Sequence, residues 1–148
     1  MDLHKVYHLK DFEDIDDELD FLFNHIFKTN RPVLWPTQKA WKPPTDMFES
    51  ETEIVIIMDM AGITTRDISL KLDNDVLFLR GIRREIPGTA KRKYYKMEID
   101  FGPFERRIEL PCSVDPDRVT ARYFQGFLEI RLPKVEKPCV DHFDIEIQ

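Results

Sequence analysis

The chain has 148 residues and a formal net charge of −6. That is long enough to bury one core, and the wrong sign for general affinity to nucleic acid, which needs a basic surface. Two cysteines, Cys112 and Cys139, are too few for the disulfide framework of a small secreted domain. Residues 1–5 lack the apolar stretch of a signal peptide and no run approaches transmembrane length, so the expectation is a cytoplasmic protein with reduced thiols and no membrane span.

In chain order, the first region is acidic, then aromatic, then broken by proline. Between Asp11 and Asp20 nearly every residue is Asp or Glu, apart from Phe12, Ile15 and Leu19. Ile15, Leu19, Leu22, Phe23, Ile26 and Phe27 follow at helical spacing. Asp11 suits the N-cap, the acids suit the positive end of the helix dipole and Lys28 the negative end. The pattern predicts one amphipathic helix, ended by Pro32 and Pro36. Its stripe of Phe and Leu reads either as packing on a core or as a surface for oligomer or client contact. Because the later strands supply their own core, the second reading is preferred.

From residue 43 to 133 the period changes. Residues 54–58 form an almost continuous apolar run, as in a strand buried on both sides. Ile68, Leu70 and Leu72 alternate with Ser69, Lys71 and Asp73, and a turn at Asp73-Asn74-Asp75 leads into a strand expected to stop at Gly81. Phe104, Arg106, Ile108 and Leu110 form the next alternating set, ended by Pro111. Val119, Ala121 and Tyr123 then pass through Gln125-Gly126 into Leu128, Ile130 and Leu132, a second hairpin closed by Pro133. Short strands separated by turn signals, with no helical period among them, predict an all-β antiparallel sandwich of the immunoglobulin-like kind.

Alternation puts Arg106 on the face of Phe104, Ile108 and Leu110, and Arg107 on the polar face with Glu105 and Glu109. A guanidinium on an apolar face needs a partner, since an unpaired buried charge costs about 3–5 kcal/mol, or must snorkel to water. The basic run Arg80, Arg83, Arg84, Lys91, Arg92, Lys93 and Lys96 has no base-stacking motif, so a solvated loop is expected rather than a nucleic-acid site. His4 and His8 lie four apart without a third ligand, and Cys112 and Cys139 read as free thiols. There is no Gly-x-x-x-x-Gly-Lys loop. No metal, cofactor or active site is assigned. The last residues carry Ile145 and Ile147 on either side of Glu146. In an extended tail both project to one side, a two-pronged plug for a sheet edge.

Five segments in order resemble the small heat shock protein family, with its α-crystallin domain, in its bacterial and plant form. They are Trp41-Lys-Pro-Pro-Thr-Asp46, Met60-Ala61-Gly62, Phe104-Glu-Arg106-Arg-Ile-Glu-Leu110-Pro111, Gly126-Phe127-Leu128 with Leu132-Pro133-Lys134, and Ile145-Glu146-Ile147. Phe127 is bulkier than the family's usual residue there. The resemblance divides the chain into an arm at 1–42, an α-crystallin domain at 43–133 and a tail at 134–148. It implies an ATP-independent holdase that works as a large homo-oligomer of dimers and binds unfolding client proteins.

By the same resemblance, the matching arginine, Arg106, sits at a dimer interface with Trp41, Asp46 and Phe48. The loop between Gly81 and Gly102 then supplies an exchanged strand with Tyr94, Tyr95 and Met97. Ile145 and Ile147 are expected to anchor in a groove made by Ile68, Leu70, Leu72, Val119, Ala121, Tyr123 and Leu128. Clients are expected on Phe12, Leu19, Leu22, Phe23, Ile26 and Phe27. Two other classes are possible: a co-chaperone adaptor with the same sandwich that does not oligomerise, and an enzyme using Cys112 or a His pair. The Ile-x-Ile tail and the aromatic arm argue against the adaptor.

Overall fold

Alternation of apolar and polar residues becomes two facing sheets. A computed structural model of the chain describes residues 6–8, as backbone, together with 40–88 and 92–135. The strands are β1 (Val6–His8), β2 (Thr45–Glu49), β3 (Glu53–Asp59), β4 (Ile68–Asp73), β5 (Val76–Arg83), β6 (Gly102–Glu109), β7 (Thr120–Phe124) and β8 (Phe127–Pro133). One sheet has the order β1-β7-β8-β3-β2 and the other β4-β5-β6. Every pairing is antiparallel. The expected helix between residues 11 and 28 lies outside the described residues.

The core lies between the sheets and is built from cross-strand pairs. Ile54 faces Leu132, Ile56 faces Ile130 and Met58 faces Leu128 in the first sheet. Leu70 faces Leu79 and Leu77 faces Ile108 in the second. All of these side chains are buried. At about 1.5–3 kcal/mol for each fully buried aliphatic side chain, they dominate the stabilisation of the sandwich. β3 lies between β8 and β2 and also buries Val55 on its other face, which accounts for its unbroken apolar sequence.

Two turns close the hairpins with backbone in the left-handed region. Asn74 has φ 52° between β4 and β5, and Gln125 and Gly126 have φ 48° and 85° between β7 and β8. At Gly126 a side chain would also press on the Ala61 backbone, 3.3 Å away.

Gly81 does not end β5, contrary to the sequence expectation. The strand runs on to Arg83, pairing Gly81 with Phe104 and with Ile68. The ring of Phe104 occupies the space a side chain at Gly81 would need, so the missing side chain is replaced from the neighbouring strand. Single 3-10 turns at Thr65–Asp67 and Pro116–Arg118 lead into β4 and β7, and neither was expected. Nor was β1, which pairs with the outer edge of β7.

Trp41 defines one side of the sandwich. Its N–H donates to the Pro103 carbonyl (3.2 Å), and its own carbonyl accepts from the Glu105 N–H (3.1 Å), so it lies along the outer edge of β6. Four residues later the chain enters β2 in the opposite sheet. The edges of β6 and β2 therefore share one side of the sandwich, and those of β4 and β7 share the other.

Candidate assembly surfaces

The side formed by β2 and β6 exposes apolar groups. β2 is paired only with β3, and its other edge is unpaired among the described residues. Met47 and Phe48 on this strand are about half exposed, at 43% and 53%. Asp46 is exposed and Trp41 half-buried. In the chain following β5, Ile86, Tyr94, Tyr95, Met97 and Ile99 are all exposed, and residues 92–101 form no strand. Tyr94, Tyr95 and Met97 thus lie on irregular backbone in the single chain.

Arg83 ties the end of this loop to the sandwich. Its Nε donates to the Ala61 carbonyl (2.9 Å) and its Nη1 to the Asp100 carbonyl (2.9 Å). The guanidinium also lies 4.2 Å from the centre of the Trp41 ring. Trp41 packs on Phe104 with ring centres 5.3 Å apart, and its indole N–H donates to the Gly102 carbonyl (3.2 Å). Between loop and sandwich is a cavity of about 460 Å³ lined by Trp41, Ile86, Ile99 and Phe101 and by the charged Asp59 and Arg83.

Arg84 is more firmly held. Its Nη2 meets the Asp67 carboxylate at 2.7 Å, with Nε adding bonds of 3.1 and 3.2 Å. Asp67 is 95% buried, with 5% of its surface exposed, and also accepts from the Thr64 hydroxyl (2.9 Å). Burial pushes this carboxyl up, but the hydrogen bonds from Arg84 and Thr64 and the charges of Arg84 and Arg66 outweigh it. The net result is below the ordinary carboxylate range. Arg83 and Arg84 therefore make fixed contacts to the sandwich while Arg84 stays largely solvated, as expected for the basic run. Sequence reasoning missed the pair because Asp67 and Arg84 lie just beyond the paired ends of the β4–β5 hairpin. They become neighbours only once the register Ile68↔Gly81 is known.

Arg106 stands where alternation placed it. Phe104 and Ile108 on its face are buried, Arg106 itself is half-buried, and it lies opposite the buried Leu79. No hydrogen bond or ion pair reaches its guanidinium among the described residues. It lines an open cleft of about 460 Å³ with Ala40, Lys42, Glu105 and Arg107. Arg107 points to the polar face and pairs with Glu109 at 2.6 Å, both well exposed.

On the opposite side, Ile68, Leu70, Val119, Ala121 and Leu128 are buried in the core, and Leu72 and Tyr123 are half-buried. The Tyr123 hydroxyl donates to the Met60 carbonyl at 2.9 Å. Ile145 and Ile147 lie outside the described residues, as do Phe12, Leu19, Leu22, Phe23, Ile26 and Phe27.

Cys112 corrects a further expectation, since it is disulfide-bonded rather than a free thiol. The other cysteine of the sequence, Cys139, lies outside the described residues. The neighbouring backbone explains why Cys112 stands close to the start of the tail. Val114 bridges Lys134, the Asp115 N–H donates to the Pro133 carbonyl (2.8 Å) and the Val135 N–H to the Ser113 carbonyl (3.2 Å). Among the described residues no group of three or more His, Cys, Asp or Glu is placed to hold a metal ion. No helix among them is long and apolar enough to cross a membrane.

A two-sheet antiparallel sandwich with an open β2 edge, an arginine on the inward row of β6 and a long loop between β5 and β6 is an α-crystallin-type domain. The Hsp20/alpha crystallin family model matches residues 46–148, and the chain belongs to that family, which is that of the small heat shock proteins. It is 32% identical over 123 residues to small heat shock protein C4 of Rickettsia felis, covering 83% of this chain and 75% of that one. A 17.6 kDa class II heat shock protein of Arabidopsis thaliana is 33% identical over 97 residues, 64% of this chain and 63% of that one. Among solved structures, heat shock protein 16.0 from Schizosaccharomyces pombe superposes with a TM-score of 0.61 at 27% identity, covering 73% of this chain and 99% of that one. A small heat-shock protein from Xylella fastidiosa, described as having a distinct high order structure, gives 0.60 at 28% identity over 74% of this chain and 100% of that one.

Proposed function

We propose that the chain is an ATP-independent holdase that assembles through dimers into a larger homo-oligomer and captures partly unfolded proteins before they aggregate. The observation that carries this reading is the edge of β2, which has no partner strand among the described residues, with Met47 and Phe48 exposed on it, beside a loop whose Tyr94, Tyr95 and Met97 are also exposed. An uncapped strand edge and an apolar loop are an aggregation hazard in a monomer. Both are covered at once if residues 94–97 of one subunit add as a strand to the 45–48 edge of another, through main-chain hydrogen bonds.

Arg106 fits the same dimer as a half-buried cation whose counter-charge comes from the second subunit. In this organisation residues 1–42 form the arm, with the aromatic stripe from Phe12 to Phe27 meeting clients. Residues 43–133 form the sandwich and 134–148 the tail. Ile145 and Ile147 join dimers by docking on the side bounded by β4 and β7. Each contact alone is weak, but many in one particle hold it together by avidity.

The test is particle size by light scattering for three forms. Wild type is expected to be a species of many subunits. Deletion of residues 86–99 should leave folded monomers, and Ile145→Ala with Ile147→Ala should leave dimers. A wild-type monomer, or full-sized particles from both variants, would overturn the assembly reading.

A further inference from the structure

The outer face of the five-stranded sheet carries apolar groups that the core between the sheets does not use. Ile54, Ile56 and Met58 of β3 point inward, so Val55 and Ile57 point out. Register sets Phe48 of β2 beside Val55, and Phe127 of β8 beside Phe124 of β7, on this same face. Phe48 and Phe127 are about half exposed, and Val55 is buried although it lies outside the core cluster. The outer row of the three-stranded sheet differs, with Lys71, Arg80, Glu105, Arg107 and Glu109 set around Phe78. We propose that the outer face of the five-stranded sheet is the docking surface for the chain's own aromatic arm. The helix expected over residues 11–28 is laid across it at a slant.

The chain's path leads there. β1 lies at one edge of this sheet and β2 at the other. The chain leaves β1 at His8 and is next described at Ala40, beside Trp41 on the outer edge of β6, from where it enters β2. Residues 9–39 therefore pass from the β7 side of the sandwich to the β2 side. Across its five strands the sheet is about 19 Å wide. A helix over residues 11–28 is about 27 Å long, enough to cross it with residues 29–39 left to reach Ala40. A route over the three-stranded sheet would instead lay the apolar stripe on charged groups, at a cost in desolvation.

Charge matches in the same direction. The β7–β8 half of the face carries Arg122, Glu129 and Arg131, and the β3–β2 half carries Val55, Ile57 and Phe48. The arm has the same order, with acids from Asp11 to Asp20 followed by the aromatic run from Phe21 to Phe27. Arg131 is already paired, with Glu129 at 2.9 Å and Glu53 at 2.6 Å. Arg122 is held more loosely: its Nη2 stands 3.6 Å from Glu129, and its Nε is buried without a hydrogen-bond partner. A buried donor left unpaired costs free energy until an acceptor arrives. Asp16 falls on the helical row of Phe23 and Phe27, at i, i+7 and i+11. At about 1.5 Å per residue Asp16 lies roughly 8 Å into the helix, over the β7–β8 half, and Phe23 and Phe27 roughly 18 and 24 Å in, over the β3–β2 half. Asp16 is thus the acceptor assigned to Arg122, and the two rings cover Ile57 and Phe48.

Docking of the arm follows from the sheet face and the chain's path, and it does not depend on whether the same stripe captures clients. The experiment uses the full-length chain with a benzophenone side chain in place of Phe23, as an equal mixture of light and heavy-isotope chains. After irradiation the crosslinked peptides are located by mass. The expected crosslinks reach residues 45–49, 53–59 or 127–131 and join peptides of one isotope form. Crosslinks at that face between light and heavy chains would assign the arm to a neighbouring subunit and overturn docking on its own sandwich. Crosslinks to the three-stranded sheet alone, or none to the sandwich, overturn the surface itself. Charge reversal tests the ion pair in parallel. Asp16→Arg and Arg122→Glu should each speed amide exchange over residues 12–27 about five-fold or more, as loss of a charge-assisted hydrogen bond requires. The double variant should return exchange to near the wild-type rate, a rescue that disturbance of the fold alone does not produce. Equal exchange in all four forms, or no rescue in the double variant, overturns the pairing of Asp16 with Arg122 and with it the orientation of the arm.

Discussion

Gly81→Ala is the sharpest test of the packing described here. A Cβ at this position would sit 2.2 Å from Cζ of Phe104, 2.9 Å from its Cε1 and 2.3 Å from the backbone oxygen of Asp67. Two responses are open to the fold. The Phe104 ring can swing away, but it is fully buried and packed at a tilt against Trp41, which Arg83 covers in turn. Alternatively β5 can move off the 3-10 turn that ends at Asp67, which disturbs the pair between the buried Asp67 carboxylate and the exposed Arg84. Overpacking of a well-filled core costs about 1–3 kcal/mol, and a clash with backbone belongs at the upper end. At roughly 4–8 °C of Tm per kcal/mol for a domain of this size, a loss of about 3 kcal/mol lowers Tm by about 12–24 °C. Thermal unfolding by circular dichroism, at one protein concentration for both forms, reads this directly. A Gly81→Ala protein within about 0.5 kcal/mol of wild type, the range of an ordinary surface substitution, would refute the reasoning.

Other outcomes follow from the same contacts. Asp67→Asn should destabilise the fold by about 1–3 kcal/mol at neutral pH, as expected for loss of charge-assisted hydrogen bonds to a buried carboxylate. Because the folded pKa of Asp67 is lowered, its contribution is present above the ordinary carboxylate pKa and is lost as pH falls through the folded value. Denaturation curves of wild type and Asp67→Asn should thus converge below about pH 4 and differ at pH 7, and a constant difference would contradict the pairing. Arg106→Gly should change particle size by light scattering, while Arg107→Gly, which removes only an exposed contact to Glu109, should not. Equal behaviour would mean that the inward row of β6 has no role in assembly. Iodoacetamide should label Cys112 only after reduction, and labelling without reductant, located by peptide mass, would contradict its disulfide.

Much of the sandwich could be read from sequence because its strands alternate cleanly. Ile68, Leu70 and Leu72, and Leu128, Ile130 and Leu132, repeat at period two between unambiguous turns, and the strands lie where those runs lie. The same alternation placed Arg106 and Arg107 on opposite faces of β6. What escaped depends on contacts between distant parts of the chain. Glycine ordinarily weakens a strand, and only the Phe104 ring from the next strand lets β5 pass through Gly81. Val6-Tyr7-His8 is too short to carry a periodic signal and is a strand only because β7 offers it an edge. Arg83 and Arg84 looked like part of a charged loop. Their partners, the Ala61 and Asp100 carbonyls and the Asp67 carboxylate, are brought to them by the fold. Cys112 belongs to the same class, since its neighbours near Lys134 and Val135 are set by long-range backbone pairing.

The central claim, capture of unfolding proteins without nucleotide, is tested most directly by heating an aggregation-prone protein with and without this chain in a buffer free of ATP and following light scattering. The expected result is suppression that rises with the ratio of chain to client, leaves the client in a soluble complex and falls when residues 1–39 are removed. Scattering that follows the same course with the full-length chain as without it, at a several-fold excess of chain over client, would contradict the account.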